Sequence, residues 1–416
     1  MEMNDAWITN DAVVFGLLML ILGWVFKTST SENPFWQKFY TYVPSVLVCY
    51  FLPSVLNSLG IISGEKSNLY FVASRYMLPA SLVLLTLSTD FKEIKKLGSK
   101  AIIMFLTGTL GIVIGGPVSI LFFSWVAPGI VGGEFSDVWR GMTTIAGSWI
   151  GGSANQAAMK EVFEVDGELF SKMVTVDILV ANVWLAVLLI GAGRSKQIDA
   201  LFKADASAIE QVKNKIEKYQ LSIARVPSLG DLMMILAIGS AVTGLSHFLA
   251  DIIAPYIGTH YPVLADYSLT SSFFWLVVIA TTVGLVLSFT KLRNLEGAGA
   301  SKIGSVFIYI LVATVGMQMD VLAIIDSPGL FLVGIVWMMV HIGLLLLVAR
   351  LIKAPFFFVS VGSQANVGGA ASAPIVAAAF HPSLAPVGVL LAVLGYALGT
   401  YAAYICGVLM QMAAGV

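Results

Sequence analysis

Charged residues are scarce in this chain. Only 11% of its 416 residues are Asp, Glu, Lys or Arg, whereas a soluble globular domain has about 25%. Hydrophobic residues make up 58%, and the mean hydropathy is +0.90. So few polar side chains cannot cover the surface of a chain this long, so lipid must be the solvent for most of it. We predict an integral membrane protein.

Basic regions and cysteines are also scarce. The formal net charge is −1, and the absence of a basic domain argues against nucleic acid as a partner. Cys49 and Cys406 both lie in apolar runs and are expected to be small buried side chains. The first fifteen residues carry no Lys or Arg, so we expect a retained helix rather than a cleaved secretory signal. With no transit peptide, the expected location is the inner (plasma) membrane of a bacterium, crossed several times.

Motifs of familiar enzymes and pumps are missing. The chain contains no HExxH zinc motif and no GxxxxGK[ST] phosphate loop. Its few histidines lie outside the Ser-containing motifs, and an aspartyl protease would need two close acids. We therefore expect neither an enzyme nor a cofactor, apart from a bound Na⁺ ion.

Long apolar runs dominate what is present. They are continuous rather than alternating, which predicts an all-α polytopic membrane protein with about twelve transmembrane helices, uncertain by one. The runs fall near residues 12–26, 40–62, 69–89, 101–126, 141–163, 170–193, 229–250, 271–290, 302–324, 328–351, 355–380 and 384–412.

The order of elements suggests an internal repeat. In each half an apolar helix ends at an acid, Asp90 or Asp320, and a small-residue motif and a last long apolar helix follow. A basic segment with apolar residues at helical spacing separates the halves, and it is either a surface helix or a solvated connector. The predicted units are 1–193, first repeat, with panel helices in 12–89 and core helices in 101–193; 194–228, amphipathic linker; and 229–416, second repeat, with panel helices in 229–324 and core helices in 328–412.

Lys and Arg residues indicate that the two repeats are inverted relative to each other across the membrane. Inversion needs an odd number of crossings between equivalent helices, whereas the apolar runs give six. One boundary between about residues 101 and 228 is therefore misassigned by hydropathy alone.

Two motifs rich in small and amide-bearing residues interrupt the apolar sequence: GSWIGGSANQAAM at 147–159 and VGSQANVGGAASAP at 361–374. They are called the two phrases below. Small residues at such spacing serve close helix packing in membranes, or they break a helix so that free backbone groups surround a ligand. Side-chain amides are not needed for packing and are costly in lipid unless they are paired. Their presence in both phrases favours a site, with substrate- or ion-binding candidates Ser153, Asn155, Gln156, Ser363, Gln364 and Asn366.

Asp177 lies within the helix that follows the first phrase. A carboxylate near the centre of a span costs about 2.5–3.5 kcal/mol and is a functional candidate by default. Asp177 is therefore the candidate ligand for Na⁺ or a proton, the alternative being a structural hydrogen bond to a neighbouring helix. Asn182, about 140° away around the helix, is expected to face elsewhere.

Three other polar or aromatic residues have less specific interpretations. Arg75, near the start of a helix, is expected to extend toward the interface. His341 is expected to be a packed, hydrogen-bonded histidine, and Trp149 to belong to an interfacial aromatic belt.

The two phrases, in this order, resemble the paired signatures of the uncharacterised YjcL-like membrane family, over roughly residues 12–412. That family is similar to the superfamily of bile-acid symporters and cation–proton antiporters. The resemblance implies inverted repeats, a panel and a core domain, two crossing discontinuous helices and alternating access. Antiporters of the superfamily carry a pair ending in Asp where Val176 and Asp177 stand here, so only one acid remains.

The leading hypothesis is a secondary active transporter that couples Na⁺ or H⁺ movement to a small anionic or zwitterionic organic solute. A cation–proton antiporter is the alternative within transport. A structural or receptor-like membrane protein is the other class, although it would leave the amide-bearing phrases unexplained. The expected partners are the solute or ion, membrane lipid and, by analogy of fold only, a second copy in a homodimer.

Overall fold

In a computed structural model of the protein, the structure describes residues 6–43, 45–132, 137–204, 226–267, 269–317, 328–381 and 384–416. These ranges form helices and connecting turns and contain no strand. The predicted all-helical class is confirmed. Most of the predicted linker, together with Asp320, lies outside the described residues.

The helices follow the apolar runs of the sequence closely. In the first half they are α1 (Asp11–Ser29), α2 (Pro34–Tyr42), α3 (Ser45–Ser58), α4 (Leu69–Leu87, with a π-helical turn at Ala73–Met77), α5 (Phe91–Lys96), α6 (Ser99–Val126), α7 (Val138–Val162), α8 (Gly167–Ala192) and α9 (Ser195–Phe202). In the second half they are α10 (Leu229–His260), α11 (Ser272–Leu287), α12 (Ala300–Gly316), α13 (Gly329–Ile352), α14 (Phe356–Val367), α15 (Gly369–Phe380) and α16 (Ala385–Ala414).

Several helices begin at a residue whose side chain caps them. The Asn10 carboxamide oxygen accepts hydrogen bonds from the first amides of α1, and the Asp166 carboxylate does the same for α8. Ser228 and Asp231 form a reciprocal capping box at the start of α10. These side chains satisfy backbone donors that have no partner within the helix.

Seven helices among the described residues are long and apolar enough to span a membrane: α1, α4, α6, α8, α10, α13 and α16. An eighth span results if α11 is joined to the 3₁₀ segment Lys291–Ala298, from which it is bent by 97°. The prediction of about twelve spans is not confirmed. Hydropathy counts every apolar run as a span, but α3, α12, α14 and α15 are short, and α7 contains many small polar residues.

Both small-residue phrases contain a departure from regular helix. In α7, Gly152 has φ 75° and ψ −173°, which lie outside the helical region. In the second phrase α14 ends at Val367 and α15 begins at Gly369, which has φ 56°. Positive φ is accessible to glycine at no steric cost, so the Gly-Gly pairs explain where the helical backbone changes direction.

Helix α16 lies against both phrases. A Cβ atom at Gly395 would lie 2.8 Å from the Ile150 carbonyl oxygen and 3.3 Å from that of Ala365. A Cβ atom at Gly399 would collide with Asn155 and Gly151. Glycine at these two positions lets the backbone of α16 approach the phrases closely, as small residues do in membrane helices.

The helices pack in two groups. Helices α6, α7, α8, α13, α14, α15 and α16 contact one another extensively. They supply most of the largest buried cluster, in which Trp149 and Trp337 have ring centroids 5.1 Å apart, although this cluster also includes residues of other helices, such as Leu82 of α4 and Val277 of α11. Helices α4, α10, α11 and α12 share two smaller clusters, one around Leu84 and Ile235 and one around Val83 and Val242. The phrases and Asp177 therefore lie within the first group.

Candidate functional site

Asp177 is a buried carboxylate in α8, 5% exposed. Its Oδ1 accepts a 2.7 Å hydrogen bond from the indole Nε1 of Trp149, and its Oδ2 accepts a 2.9 Å bond from Nε2 of Gln156. Both donors belong to α7, on either side of the irregular Gly152. The Ser148 side chain is a third hydrogen-bond partner of this carboxylate, which leaves about one of the roughly four acceptor sites of an ionised carboxylate.

A cavity of about 180 Å³ adjoins this carboxylate. Four of the predicted site residues line it: Ser153, Gln156, Asp177 and Gln364. The remaining lining residues are Tyr50, Ser148, Gly152, Ile178, Ala181, Asn182, Leu185, Tyr309, Val367, Gly368 and Ser372. The structure thus places residues of both phrases and the acid of α8 around one space.

The other three predicted residues do not line this cavity. Asn155 donates to the Gly151 carbonyl at 3.0 Å and accepts a 2.6 Å hydrogen bond from the Thr400 hydroxyl in α16. Asn366 donates to the Phe105 carbonyl at 3.0 Å and accepts a 2.7 Å bond from the Thr109 hydroxyl in α6. Their amides are occupied in holding each phrase to a helix from the other half of the chain.

Ser363 belongs to a buried chain of hydrogen bonds behind the cavity. The Trp184 indole donates to Ser363 Oγ at 2.8 Å, and Ser363 Oγ lies 2.8 Å from His341 Nε2. His341 Nδ1 lies 2.9 Å from the Gly108 carbonyl oxygen, which can only accept, so Nδ1 carries the proton and Nε2 accepts from Ser363. His341 is a hydrogen-bonded packing residue, as its isolated position in the sequence suggested.

Several lining residues were not identified from the sequence. Tyr50 in α3 and Tyr309 in α12 come from distant segments without motif character, and the Tyr50 hydroxyl lies 3.5 Å from Oε1 of Gln156. Ser148 and Ser372 lie inside the phrases, and their residue type alone could have suggested them. Asn182 was expected to face away from Asp177 but lines the same cavity, because the space extends along α8.

Two side-chain expectations are corrected by the packing. Trp149 is fully buried beside Asp177 instead of lying in an interfacial belt. The Arg75 guanidinium turns inward, where Nη1 lies 3.1 Å from Glu161 Oε2 and the group stacks 4.3 Å from the Phe273 ring centroid. The Arg75 side chain does not extend toward water, because Glu161 at the end of α7 pairs with its charge inside the protein.

The cavity combines opposite electrostatic features. Among the described residues that line it, Asp177 is the only acid, and none is Lys, Arg or His. The part of α7 after Gly152 and helix α15 after Gly368 both begin at the cavity, and helix N-termini carry partial positive charge. The arrangement can hold a cation at the carboxylate and an anionic group at the helix starts.

Comparison with known proteins gives a family but no activity. A family model described as a protein of unknown function, DUF819, matches residues 16–413. The chain is also 24% identical over 360 residues to the uncharacterized membrane protein YjcL of Bacillus subtilis strain 168, covering 83% of this chain and 85% of that protein. The predicted likeness to the YjcL-like family is confirmed, whereas the relation to bile-acid symporters and cation–proton antiporters stays a prediction.

Proposed function

We propose that this chain, which belongs to the DUF819 family of membrane proteins, is a secondary active transporter. It couples the movement of Na⁺ or H⁺ to that of a small organic solute. One observation carries the proposal: a buried carboxylate adjoins a cavity at which two irregular, amide-bearing helix segments meet. Intramembrane acids in such positions mark ion pathways, and irregular backbone at membrane depth persists where it lines a cavity.

In the proposed mechanism Asp177 holds the coupling ion, Na⁺ or a proton. The helix starts at Ser153 and Gly369 attract the anionic group of an anionic or zwitterionic solute. A site holding both charges is nearer neutrality than a half-loaded site, so it crosses the membrane barrier more readily. Gln156, which donates to Asp177 and faces Tyr50, connects the acid to the rest of the cavity.

The proposed movement is alternating access, with α6, α7, α8 and α13–α16 as the moving core and α4, α10, α11 and α12 as the static panel. Helices within each set contact one another more extensively than they contact the other set, which supports this division. The wider architecture belongs to the proposal as well: about twelve crossings in two inverted repeats, 1–193 and 229–416, joined by a linker at 194–228, with two discontinuous helices that cross. We also propose the bacterial inner membrane as its location and a homodimer as its assembly.

Uptake into proteoliposomes under an imposed Na⁺ or pH gradient tests the proposal. The Asp177→Asn variant should lose gradient-driven uptake, because it removes the carboxylate that holds the coupling ion in the proposed mechanism. Asp251→Asn makes the same change at an exposed position of α10 and should transport normally. Intact coupled uptake in Asp177→Asn would show that the role assigned to this carboxylate is wrong.

Cation–proton antiport is a second candidate, favoured because none of the described lining residues is Lys, Arg or His. An exchanger of this kind needs no organic solute. Proteoliposomes with an internal pH dye would then show Na⁺- or K⁺-dependent proton movement in a buffer free of organic solutes. Movement only in the presence of an organic solute would favour the first candidate.

A further inference from the structure

Helix α2 has an aromatic face and a polar face. Four of the residues from 35 to 40 are aromatic and fall within about 140° of the helix circumference at 100° per residue: Phe35, Trp36, Phe39 and Tyr40. The two polar residues between them, Gln37 and Lys38, lie outside that arc and are exposed. The nine residues of α2 extend only about 14 Å, so the helix is suited to lie at a membrane surface rather than to cross it.

Helix α2 lies beside the last two turns of α1, a candidate membrane span. The Tyr40 hydroxyl lies 2.8 Å from Thr28 Oγ1, and the rings of Trp24 and Trp36 meet edge to face with centroids 5.3 Å apart. The 19 residues of α1 extend about 28 Å, close to the hydrocarbon thickness of about 30 Å. The last turns of α1 therefore reach one surface of the bilayer, and α2 lies at that level.

The exposed aromatic side chains of α2 continue the lipid-facing surface of α1. Phe35 is 65% exposed, and its ring centroid lies 4.9 Å from that of Trp36, which contacts Trp24. Trp24 is 45% exposed, and Leu20, four residues earlier on the same face of α1, is 71% exposed. Exposed apolar side chains on a span contact acyl chains, so Phe35 extends a surface that lipid already covers.

Lipid fits this surface better than a protein partner does. Aromatic rings favour the boundary between headgroups and acyl chains, and the long side chains of Lys27 and Lys38 can reach from there to the phosphates. Both lysines are exposed, as is Glu32 in the connection between the helices. Specific protein interfaces bury about 1,200–2,000 Å², which is more than one short helix can offer when its Trp36 and Tyr40 already pack on α1.

We propose that α2 is an interfacial anchor, with Phe35 and Phe39 in the boundary between lipid headgroups and acyl chains and Lys38 extended to the headgroup phosphates. The partner is thus the bilayer surface itself, bound along one face of the helix. This inference concerns how the protein is held in the membrane, and it holds whether or not the chain transports a solute.

Fluorescence quenching of the full chain in lipid nanodiscs tests this placement. Phe35→Cys and Gln37→Cys put a thiol-reactive fluorophore on the aromatic face and, about 160° away, on the polar face. The two natural cysteines are buried, and the natural protein treated with the same fluorophore measures any background. Phospholipids brominated near the headgroup end of the acyl chain should quench the label at position 35 more strongly than the label at position 37, and aqueous iodide should do the reverse.

Equal quenching of the two labels by iodide would overturn the proposal, because α2 would then lie in water. Energy transfer between labelled copies that share a nanodisc, without quenching by brominated lipid, would also overturn it and would identify a second copy of the chain as the partner. Neither measurement needs a transported solute, so a failure of the transport function leaves this test unchanged.

A charge on the aromatic face sharpens the test. Phe35→Asp should lower the unfolding temperature in nanodiscs more than Gln37→Asp does, because a carboxylate is poorly solvated at the boundary with the acyl chains. Phe35→Trp keeps an interfacial ring and should unfold as the natural protein does. Equal shifts for the two Asp variants would exclude contact between Phe35 and lipid.

Discussion

The two phrases, at 147–159 and 361–374, are called segments here. They are held in place by similar hydrogen bonds, but their glutamines have different partners. Each contains an asparagine that accepts a hydrogen bond from a threonine on a helix of the other half, Thr400 for Asn155 and Thr109 for Asn366. Each also contributes a glutamine to the same cavity. The scaffolding contacts are thus duplicated between the halves of the chain.

The glutamines show the difference. Gln156 donates to Asp177 and lies within reach of the Tyr50 hydroxyl, so its amide is occupied on both sides. Gln364 donates to Ser372, and its oxygen has no hydrogen-bond partner among the residues that the structure describes. The first segment therefore positions an acid on a neighbouring helix, whereas the second ties its glutamine to a serine within the same segment.

The largest loss of stability should follow from removing the hydrogen bonds of Asn366, which hold the second segment to α6. Asn366→Leu removes two hydrogen bonds donated to the carbonyls of Phe105 and Gly362, and one accepted from Thr109. Each buried group left without a partner costs about 1–3 kcal/mol. Asn155→Leu should cost less, because that side chain makes fewer such bonds. Denaturation midpoints in detergent micelles measure the difference.

A double-mutant cycle controls this comparison. Replacing both members of the pair, Asn366→Leu with Thr109→Val, leaves no donor without an acceptor. The double variant should recover about 0.5–3 kcal/mol relative to the sum of the single changes. Additive effects would show that the Thr109 bond does not hold the second segment.

The second comparison concerns the backbone of the two breaks. Gly152 combines φ 75° with ψ −173°, a region that is essentially restricted to glycine, whereas φ 56° at Gly369 lies in the left-handed region, where Asn is tolerated. Neither position is crowded, since a Cβ would lie 3.6 Å from Tyr396 at the first and more than 4 Å from any atom at the second. Gly152→Asn should destabilise by about 1–3 kcal/mol, and Gly369→Asn by less than about 1 kcal/mol.

Unfolding in denaturant, followed by circular dichroism, measures both variants under one condition. The matching substitution makes each variant the control of the other. Equal losses would mean that the two breaks do not differ in backbone strain.

Two indole donors provide a third, smaller contrast. Trp149 donates to the Asp177 carboxylate at 2.7 Å, and Trp184 donates to the Ser363 hydroxyl at 2.8 Å. A hydrogen bond to a charged group contributes about 1.5–3 kcal/mol, and one between neutral groups about 0.5–1.5 kcal/mol. Trp149→Phe should therefore cost about 1 kcal/mol more than Trp184→Phe, by denaturation midpoint. A larger loss in Trp184→Phe would indicate that Asp177 is held neutral.

Local features of the fold could be predicted from the sequence. Hydropathy located the apolar helices, because burial in lipid is decided over about twenty residues of one run. The Gly-Gly pairs located Gly152 and Gly369, because glycine takes a positive φ without steric cost. Asp177 stood out because a lone acid inside an apolar helix is costly.

Features that depend on helix contacts could not be predicted. Asn155 and Gln156 are adjacent amides, yet one faces α16 and the other the cavity, because successive helical residues point about 100° apart. Which direction meets a neighbour is decided by tertiary packing. Tyr50 and Tyr309 look like ordinary apolar-helix residues until α3 and α12 lie beside the phrases. The number of spans is not confirmed for a similar reason, because hydropathy does not report where an apolar run breaks.

The helices that begin the two segments are capped differently, and this gives the smallest expected effect. Asp137 precedes α7 without a side-chain cap, whereas the Asp199 carboxylate in α9 accepts a 2.7 Å hydrogen bond from the first amide of α14, that of Phe356. Partial burial raises the pKa of Asp199, against a smaller lowering by that hydrogen bond. With a folded-state pKa above the unfolded value of about 3.9, Asp199 contributes stability that is complete below that value. This contribution is lost as pH rises through the folded-state pKa.

The Asp199→Asn variant should therefore show a flatter dependence of stability on pH above about pH 4, the usual aspartate range. The change should be below about 1 kcal/mol, because Asp199 is partly exposed and water screens its charge. Unfolding midpoints of both proteins across this range measure it, with Asp137→Asn as the matched control at the uncapped helix. A flatter dependence of stability on pH in the Asp137 variant but not in the Asp199 variant would contradict this prediction. The pH dependence would then arise at the start of α7, and the hydrogen bond from α14 to Asp199 in α9 would not contribute to it.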